Sequence, residues 1–321
     1  MKKTCFSELR GKKLVIGLVH LVPMLGTPLY QDGNLDKMTR KAIEDCLTLK
    51  KNGADGGLVQ TVDVFYPSTD DTDYARVAGL AAVTARVRDA IGPDFLIGAQ
   101  IMWNCITPSL AVCKAAGADF TRATALAGNT ESMFGLIEAQ PLKVAEYRKK
   151  IEAQNIGILA EISGYHHKGE YSRESIQNLA RTSMHLGADA IEVCHKDIAH
   201  NEQLVKDVKS VGDYPVILGG NTAVKDCKDR LRYADGALVG SAFQGGNWGE
   251  APFVELSWLR DDRPGVPGSS ATSRSHKVEA VIPLQANSST VKFLLPPSWY
   301  DGVYALRVKS GESFSAPVLL N

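Results

Sequence analysis

One short pattern recurs at four places in the chain, and it constrains the fold more than any other feature of the sequence. Three copies read Gly-Ala-Asp, at Gly53–Asp55, Gly117–Asp119 and Gly187–Asp189, and a weaker copy is Tyr233–Gly236. Each copy follows a stretch of helical periodicity and precedes a short apolar run. Glycine at a helix end adopts the left-handed conformation without a Cβ clash, so each copy predicts a junction from a helix to the next strand.

Eight apolar runs alternate with amphipathic stretches over the first 240 residues. The predicted strands are 14–20, 56–62, 95–102, 119–124, 156–162, 188–194, 214–219 and 235–240. The predicted helices between most of them are 35–51, 74–91, 108–116, 141–153, 172–186, 201–211 and 224–233. Strands that alternate with helices require a parallel sheet covered by helices, and eight such units predict a (β/α)₈ TIM barrel. A doubly wound sheet is the alternative, but it gives no reason for a repeat in strand–helix pairs.

The pattern ends after Phe243, and the C-terminal segment has a different character. We expect Phe253–Leu259 to form a short last helix, which completes a barrel domain of residues 1–262. Residues 263–275 have the composition of a flexible linker. Four short strand-like runs follow, at Lys277–Ile282, Thr290–Leu295, Val303–Val308 and Phe314–Leu319. Residues 276–321 are therefore predicted to be a small, all-β, sandwich-like segment.

Composition and charge exclude several classes of protein. Lysine plus arginine equals aspartate plus glutamate at 36 each, so no basic field is present to bind nucleic acid. The longest apolar stretch, Leu14–Leu25, is too short to span a bilayer, and the first residues lack the apolar core of a secretory signal. Six scattered cysteines without CxxC pairs fit reduced thiols. We expect a cytoplasmic protein that binds no nucleic acid, and a homo-oligomer remains open.

Glycine-rich turns end the last two predicted strands. These turns are Gly219-Gly220-Asn221 and Gly240-Ser241. TIM barrels commonly bind phosphate on these two loops, because glycine lets backbone N–H groups approach an anion closely. The alternative is that the two sequences are only tight turns. We expect Gly219, Gly220, Asn221, Gly240 and Ser241 to bind the phosphate of a substrate.

Polar side chains interrupt six of the apolar strands at comparable depth. A charge facing the helix layer would be buried without a partner, so these side chains are expected to point into the barrel. The ring consists of His20, Gln60, Gln100, Arg122, Glu161 and Glu192, with Asn104 and His195 at strand ends and Asp63, His166 and His167 just above. We expect Gln60, Gln100 and Asn104 to bind substrate.

The charged members of the ring suggest acid–base chemistry. Arg122 and Glu161 are on neighbouring strands, so a structural ion pair is one interpretation. Two carboxylates that share one arginine leave one acid with a raised pKa, which suits proton transfer near neutral pH. The catalytic candidates are Glu161, Glu192, His20 as partner acid, Arg122 and His195. We expect no cofactor, although Glu161, Glu192 and His195 together could hold a divalent metal.

The first strand and its loop, Gly17–Tyr30, resemble the opening of the BtpA/SgcQ family. The resemblance runs from about residue 12 to 243 and includes Ala118–Arg122, Gly135–Glu138 and Ala234–Ala242. It implies a TIM-barrel fold. Known relatives include a factor linked to photosystem I biogenesis and proteins encoded beside sugar-utilisation genes. The chain departs from the family's usual residues at Gln60–Asp63, Glu192–His195 and Gly219–Asn221, so the resemblance implies relatives rather than a substrate.

These observations favour an enzyme that acts on a small phosphorylated metabolite, a sugar or nucleoside phosphate. The reaction class is isomerisation, epimerisation or lyase chemistry by acid–base catalysis, in keeping with a role in carbohydrate metabolism. No Rossmann fingerprint or P-loop is present, and no lysine lies within a strand; Lys196, at the end of the sixth strand, is the one candidate for a Schiff base. The alternatives are a non-catalytic assembly or scaffold factor, or a tail that binds carbohydrate or a partner.

Overall fold

The chain divides into two compact units, Met1–Gly245 and Gly246–Asn321. A computed structural model of the 321-residue chain describes residues 3–7, 9, 13–168, 172–223 and 226–240, and beyond these the backbone of seven short strands. The first unit carries all of the predicted site residues that the structure describes.

The first unit is a closed TIM barrel of eight parallel strands, as the sequence predicts. The barrel strands are β1 Leu14–His20, β2 Gly56–Gln60, β3 Leu96–Gln100, β4 Phe120–Ala123, β7 Gly157–Ser163, β8 Ala190–Val193, β9 Val216–Leu218 and β10 Gly236–Val239. They follow one another around the barrel in chain order, and β10 closes it against β1.

Helices alternate with the barrel strands, and a short hairpin follows β4. The described helices are α1 Asn34–Lys51, α2 Tyr74–Ile91, α3 Ile106–Ala116, α4 Pro141–Lys150, α5 Arg173–His185, α6 Ile198–Lys209 and α7 Cys227–Arg230. The hairpin pairs β5, Thr130–Ser132, with β6, Gly135–Ile137, and the sequence pattern did not predict it.

The aspartate of each repeat ties two neighbouring strands together at the lower end of the barrel. Its carboxylate accepts the backbone N–H of a residue on the preceding strand, and its own N–H donates to the carbonyl of that same residue. The pairs are Asp55 with Val15, Asp119 with Ile97, Asp189 with Ile158, and Asp235 with Val216. The repeat therefore divides the barrel into four strand pairs.

Cations from the preceding helices complete three of these junctions. Arg88 of α2 contacts the Asp119 carboxylate at 2.5 Å, Arg148 of α4 contacts Asp189 at 2.9 Å, and Lys209 of α6 contacts Asp235 at 2.7 Å. Each ion pair fixes the end of a helix to the aspartate that precedes the second strand after that helix. This arrangement is the physical reason for the recurring motif.

The barrel interior is apolar in its lower half and closed there by the N-terminal segment. Phe6 and Leu9 are buried in an inner cluster that includes Ile16, Leu58 and Phe120. The rings of Phe6 and Phe120 meet edge to face, with centroids 5.5 Å apart. The opposite face of each strand packs against the helices in a second, larger core. A ligand therefore has to approach from the carboxyl ends of the strands.

The second unit contains antiparallel strands, and one sequence prediction about it is wrong. Phe253–Leu259 is a strand, β11, rather than a helix, and it pairs along its whole length with β15, Val303–Ser310. The other described strands are β12 His276–Lys277, β13 Gln285–Ala286, β14 Val291–Lys292, β16 Ser313–Phe314 and β17 Val318–Leu320. The linker at 263–275 falls outside the described residues, and the boundary near 262 stays a prediction.

None of the described helices has the length and apolar character needed to cross a bilayer.

Candidate active site

The upper end of the barrel interior is formed by one residue from each of the eight strands. Residues paired between parallel strands share a face, and His20, Gln60 and Gln100 are paired across β1, β2 and β3. Glu161 and Glu192 are paired across β7 and β8. The members of this upper layer each lie two positions after a residue that faces the lower interior: His20, Gln60, Gln100, Arg122, Glu161, Glu192, Gly219 and Gly240.

Arg122 joins the two glutamates in one buried network. Its Nε donates to Glu192 Oε2 at 2.6 Å, and its Nη2 donates to both Glu192 Oε1 and Glu161 Oε2, the latter at 2.9 Å. The predicted Arg122–Glu161 ion pair is thus present, but the two-pronged contact is with Glu192. All three side chains are buried.

The two carboxylates differ in the number of hydrogen bonds they accept. Glu161 Oε1 accepts the backbone N–H groups of His166 and His167 at 2.8 and 3.1 Å, and its Oε2 lies 3.0 Å from His166 Nδ1. With Arg122 included, Glu161 takes part in four hydrogen bonds with three residues. Glu192 has Arg122 alone among the described residues.

This difference separates the pKa values of the pair. Burial opposes ionisation of Glu161, but Arg122 and His166 outweigh it and hold the pKa of Glu161 well below its ordinary value. Burial raises the pKa of Glu192 to about 7, with a contribution from the charge of Glu161, and Arg122 only partly offsets these effects. Glu161 is therefore the permanent carboxylate, and Glu192 is the group that titrates near neutral pH.

Two glycines provide the space that the carboxylates occupy. A Cβ built on Gly219 would overlap Glu192 Oε1, and one built on Gly164 would lie 2.6 Å from Glu161 Oε1. Any larger residue at either position would displace a charged group. Gly219 was predicted to bind phosphate, and the structure adds this second requirement.

The loop after β9 has an unusual backbone conformation and contacts the residue that follows β8. Gly220 and Asn221 both have positive φ, at 127° and 54°. The Asn221 side-chain amide donates to Cys194 Sγ at 3.1 Å. The N–H groups of Gly220 and Asn221 take part in none of the hydrogen bonds among the described residues. Gly240 directly follows β10 and lies beside His20, whereas Ser241 lies outside the described residues.

Side chains on the segments that follow β2, β3, β4 and β7 form an aromatic cluster that sequence reasoning missed. Trp103 lies at its centre, with ring centroids 4.5 Å from His166, 5.4 Å from Tyr66 and 5.4 Å from Phe134. Tyr165 contacts the rings of Trp103 and His166. We call these five residues the aromatic roof. Isolated aromatic residues in loops have no periodicity that would have revealed it.

Two predicted residues are engaged elsewhere. The side-chain amide of Asn104 bonds with both backbone polar groups of Ala125, which fixes the loop after β4. The ring of His195 lies against His200 on α6, with centroids 4.1 Å apart. No three metal-binding side chains come together among the described residues, so the geometry gives no support to a metal held by Glu161, Glu192 and His195. Asn104 and His195 as site residues stay predictions.

Comparison with known proteins identifies the family. The model of the BtpA family matches residues 11–251, which include the whole barrel. The chain belongs to the BtpA family. A BtpA-family relative from Thermococcus kodakarensis, an uncharacterized protein, is 29% identical over 235 residues, which are 72% of this chain and 86% of the relative. An uncharacterized mitochondrial protein of Caenorhabditis elegans is 28% identical, covering 74% and 88% of the two chains.

One relative has a named role. The photosystem I biogenesis protein BtpA of Synechocystis is 28% identical over 158 residues, 49% of this chain and 53% of that protein.

Solved structures with a similar barrel are more distant. The N-acetylmannosamine-6-phosphate 2-epimerase of Clostridium perfringens has a TM-score of 0.45 and 16% identity, covering 73% of this chain and 90% of the enzyme. A 3-hexulose-6-phosphate synthase has a TM-score of 0.46 and 18% identity, with 73% and 92% covered. Nothing about the activity of the BtpA-family chain follows from likenesses of this size.

Proposed function

We propose that this BtpA-family protein is an enzyme that uses acid–base catalysis on a small phosphorylated metabolite. The proposed reaction class is isomerisation, epimerisation or bond cleavage in a lyase reaction, in sugar or nucleotide metabolism. The observation that carries the proposal is the unequal pair Glu161 and Glu192, joined by Arg122 inside the barrel. A general acid or base works best when its pKa lies near the working pH, and Glu192 meets that condition.

The three charged side chains have distinct roles in this proposal. Glu192 exchanges the proton with substrate. Glu161, which keeps its charge, holds Arg122 and His166 in place. Arg122 stabilises negative charge, both on Glu192 and on a substrate oxygen that becomes anionic. His20, on the far side of the upper layer, is the candidate second acid.

Access to Glu192 requires movement of the loop that covers it. Glu192 is fully buried, and Gly219 lies directly against its carboxylate. The hydrogen bond from Asn221 to Cys194 Sγ is the side-chain contact that holds this loop to β8 among the described residues. Thiol acceptors make weak hydrogen bonds, so binding of a phosphate to the loop is sufficient to replace this one.

The phosphate site is proposed at Gly220 and Asn221, together with Gly240 and Ser241. Support comes from the position of the loops after the last two strands and from the two N–H groups of residues with positive φ, which bond to no described acceptor. Successive N–H groups in such turns form concave sites for anions.

A matched pair of glycine variants tests the phosphate site. Gly220 and Gly53 both have positive φ, and a Cβ at either would meet nothing within 4 Å, so Gly220→Ala and Gly53→Ala each add a methyl group to a strained backbone without a steric clash. Only Gly220 lies at the proposed site. Inorganic phosphate should raise the melting temperature of the wild type and of Gly53→Ala, and should not raise that of Gly220→Ala. An equal rise in all three proteins would contradict the proposal.

The acid–base role is tested by turnover. A panel of sugar phosphates and nucleoside phosphates is screened with wild-type protein, and Glu192→Gln is then assayed on the substrate found. Loss of a general acid or base lowers the rate by roughly 10²–10⁴-fold. A Glu192→Gln protein that folds normally and keeps full turnover would refute the assignment.

The second candidate is a non-catalytic assembly or scaffold factor. It is favoured by exposed apolar side chains near the mouth of the barrel: Met133 is 87% exposed and Leu136, on the same hairpin, is 51% exposed. The photosystem role in the name of the Synechocystis relative points in the same direction. In this case Arg122 and the glutamates are a structural network, and no member of the phosphate panel would bind.

The proposal places the protein in the cytoplasm, where a reducing environment suits its cysteines, all six of which are thiols rather than disulfides.

A further inference from the structure

The upper layer of the barrel interior is divided into a charged half and a neutral half. Arg122, Glu161 and Glu192 lie on the consecutive strands β4, β7 and β8. Gln60 and Gln100 lie on β2 and β3, opposite β8 and β9 in the eight-strand order. The neutral half thus faces the loop proposed to bind phosphate.

The polar atoms of the neutral half lack partners within the described part of the chain. Gln60 is 3% exposed, and its Oε1 has no hydrogen-bond partner among the described residues. Gln100 is 1% exposed, and neither its Oε1 nor its Nε2 has a hydrogen-bond partner among them. Buried amides in proteins are nearly always hydrogen-bonded. The two carboxamides, in register on neighbouring strands, therefore have polar atoms available to hydrogen-bond a ligand in the barrel interior.

The aromatic roof adds one more polar atom and a flat apolar surface. Trp103 Nε1 is buried without a partner among the described residues, although its ring is packed by Tyr66, Phe134 and His166. The four atoms without partners are two acceptor oxygens, Oε1 of Gln60 and of Gln100, and two donor nitrogens, Gln100 Nε2 and Trp103 Nε1. Flat rings with adjacent donors and acceptors bind to carboxamides in pairs of hydrogen bonds and stack on aromatic side chains.

We propose that Gln60, Gln100 and Trp103 form a subsite for a planar heterocycle of the nucleobase type. This inference rests on the proposed function, and it narrows the phosphorylated substrate to a nucleotide. A sugar phosphate lacks the planar aromatic ring, with donor and acceptor atoms side by side on its edge, that pairs with carboxamides and stacks on aromatic side chains.

The dimensions of the barrel fit a ligand with its two recognised groups at opposite ends. Eight strands about 4.8 Å apart and tilted by about 36° enclose a barrel about 15 Å across between backbones. Gln100 on β3 is opposite β9, whose loop carries Gly220. A nucleoside monophosphate places its phosphate and its base at the two ends of an extended molecule, with the ribose over the Arg122 network.

Calorimetric titration tests the subsite with defined probes. The four common ribonucleoside 5′-monophosphates, their nucleosides, ribose 5-phosphate and inorganic phosphate are titrated into wild-type protein. At least one nucleotide should bind ten or more times more tightly than ribose 5-phosphate. Gln100→Leu keeps the approximate shape and removes the amide, so it should abolish this difference while leaving the affinity for ribose 5-phosphate unchanged.

Two further variants make the result decisive. Gln154→Leu is the control, because Gln154 is exposed on the loop before β7, and it should bind every probe as the wild type does. Gln60→Leu repeats the test in case Gln100→Leu fails to fold, which circular dichroism reports.

Each outcome has a separate meaning. If ribose 5-phosphate binds as tightly as every nucleotide, or if both glutamine variants keep the nucleotide preference, the subsite is refuted. If a nucleoside binds to wild type and not to Gln100→Leu while inorganic phosphate binds to neither, the subsite stands and the phosphate site fails.

Discussion

Substitution of Glu192 and of Glu161 by glutamine should change stability in opposite directions, although the two glutamates lie side by side and share one arginine. Glutamine keeps the shape of a protonated glutamic acid and removes the charge. The pKa of Glu192 is raised from 4.5 to about 7, chiefly by burial. The pKa of Glu161 is lowered by Arg122 and His166.

For Glu192 the folded protein binds the proton more tightly than the unfolded chain does. The contribution of Glu192 to the free energy of unfolding is most favourable below pH 4.5 and is lost as the pH rises to about 7. One pKa unit corresponds to about 1.4 kcal/mol, so the loss is about 3 kcal/mol. Glu192→Gln has no such loss, and Arg122 keeps its ion pair with Glu161 in this variant, so at pH 8 the variant should be more stable than the wild type by up to this amount.

For Glu161 the sign is reversed. A lowered pKa contributes stability above the unfolded value, and that stability is lost as the pH falls through the folded value. At pH 8 Glu161→Gln removes an acceptor of four hydrogen bonds and leaves buried donors of Arg122 and His166 short of a partner. Breaking a buried ion pair in this way costs about 3–5 kcal/mol.

Urea unfolding followed by helical ellipticity measures both effects, since the described helices all belong to the barrel unit. Each variant is compared with the wild type from pH 5 to 8.5, so that the contributions of titrating groups common to both proteins cancel in the difference in free energy of unfolding. The difference curve for Glu192→Gln should rise towards pH 8, and that for Glu161→Gln should be negative there. Equal destabilisation by both substitutions at pH 8 would show that the charge is shared and that the reasoning from hydrogen-bond partners is wrong.

Three other predictions follow from individual contacts. Gln100→Leu should raise the free energy of unfolding of the ligand-free protein by about 1–3 kcal/mol, because it removes a buried amide without partners; a loss in urea unfolding would contradict this. Asp189→Asn should cost about 1–3 kcal/mol by weakening the contacts with Arg148 and the Ile158 N–H, whereas Asp94→Asn, at an exposed position, should have little effect. Binding of inorganic phosphate at pH 7.5 should take up protons, seen by calorimetry in buffers of different ionisation enthalpy, because an anion beside Glu192 favours its protonated form; no uptake, or the same uptake in Glu192→Gln, would contradict this.

Local patterns were sufficient to predict the barrel, because its elements are specified by short-range signals. Periodicity located the eight strands, and the glycines of the three Gly-Ala-Asp repeats marked the ends of α1, α3 and α5. The role of the repeated aspartates was not predictable in the same way. Asp189 bonds to Ile158, 31 positions earlier in the chain, and that partner is defined only when the strands lie side by side.

The positions of the site residues were predictable, but the difference between the two glutamates was not. Alternation along the strands placed Glu161 and Glu192 inside the barrel, but both have the same local pattern. Their difference arises from the turn after β7, which directs the N–H groups of His166 and His167 at Glu161. The Phe253–Leu259 strand was mistaken for a helix for a related reason: its partner, β15, begins 44 residues after its end.

Gly219 connects the proposed phosphate site to the proposed acid–base group, and this connection predicts how they work together. The residue has no side chain, which leaves room for the Glu192 carboxylate beneath the loop. The same residue begins the turn whose next two N–H groups bond to no described acceptor. An anion bound there comes close to Glu192, so it raises the pKa of Glu192 further. The same anion binds the loop that limits access to Glu192. Substrate binding would then load Glu192 with the proton that the reaction uses and open the path to it in a single step. Gly219→Ala should therefore impair phosphate binding and shift the titration of Glu192 together, whereas Gly220→Ala should affect phosphate binding with the titration of the ligand-free protein unchanged.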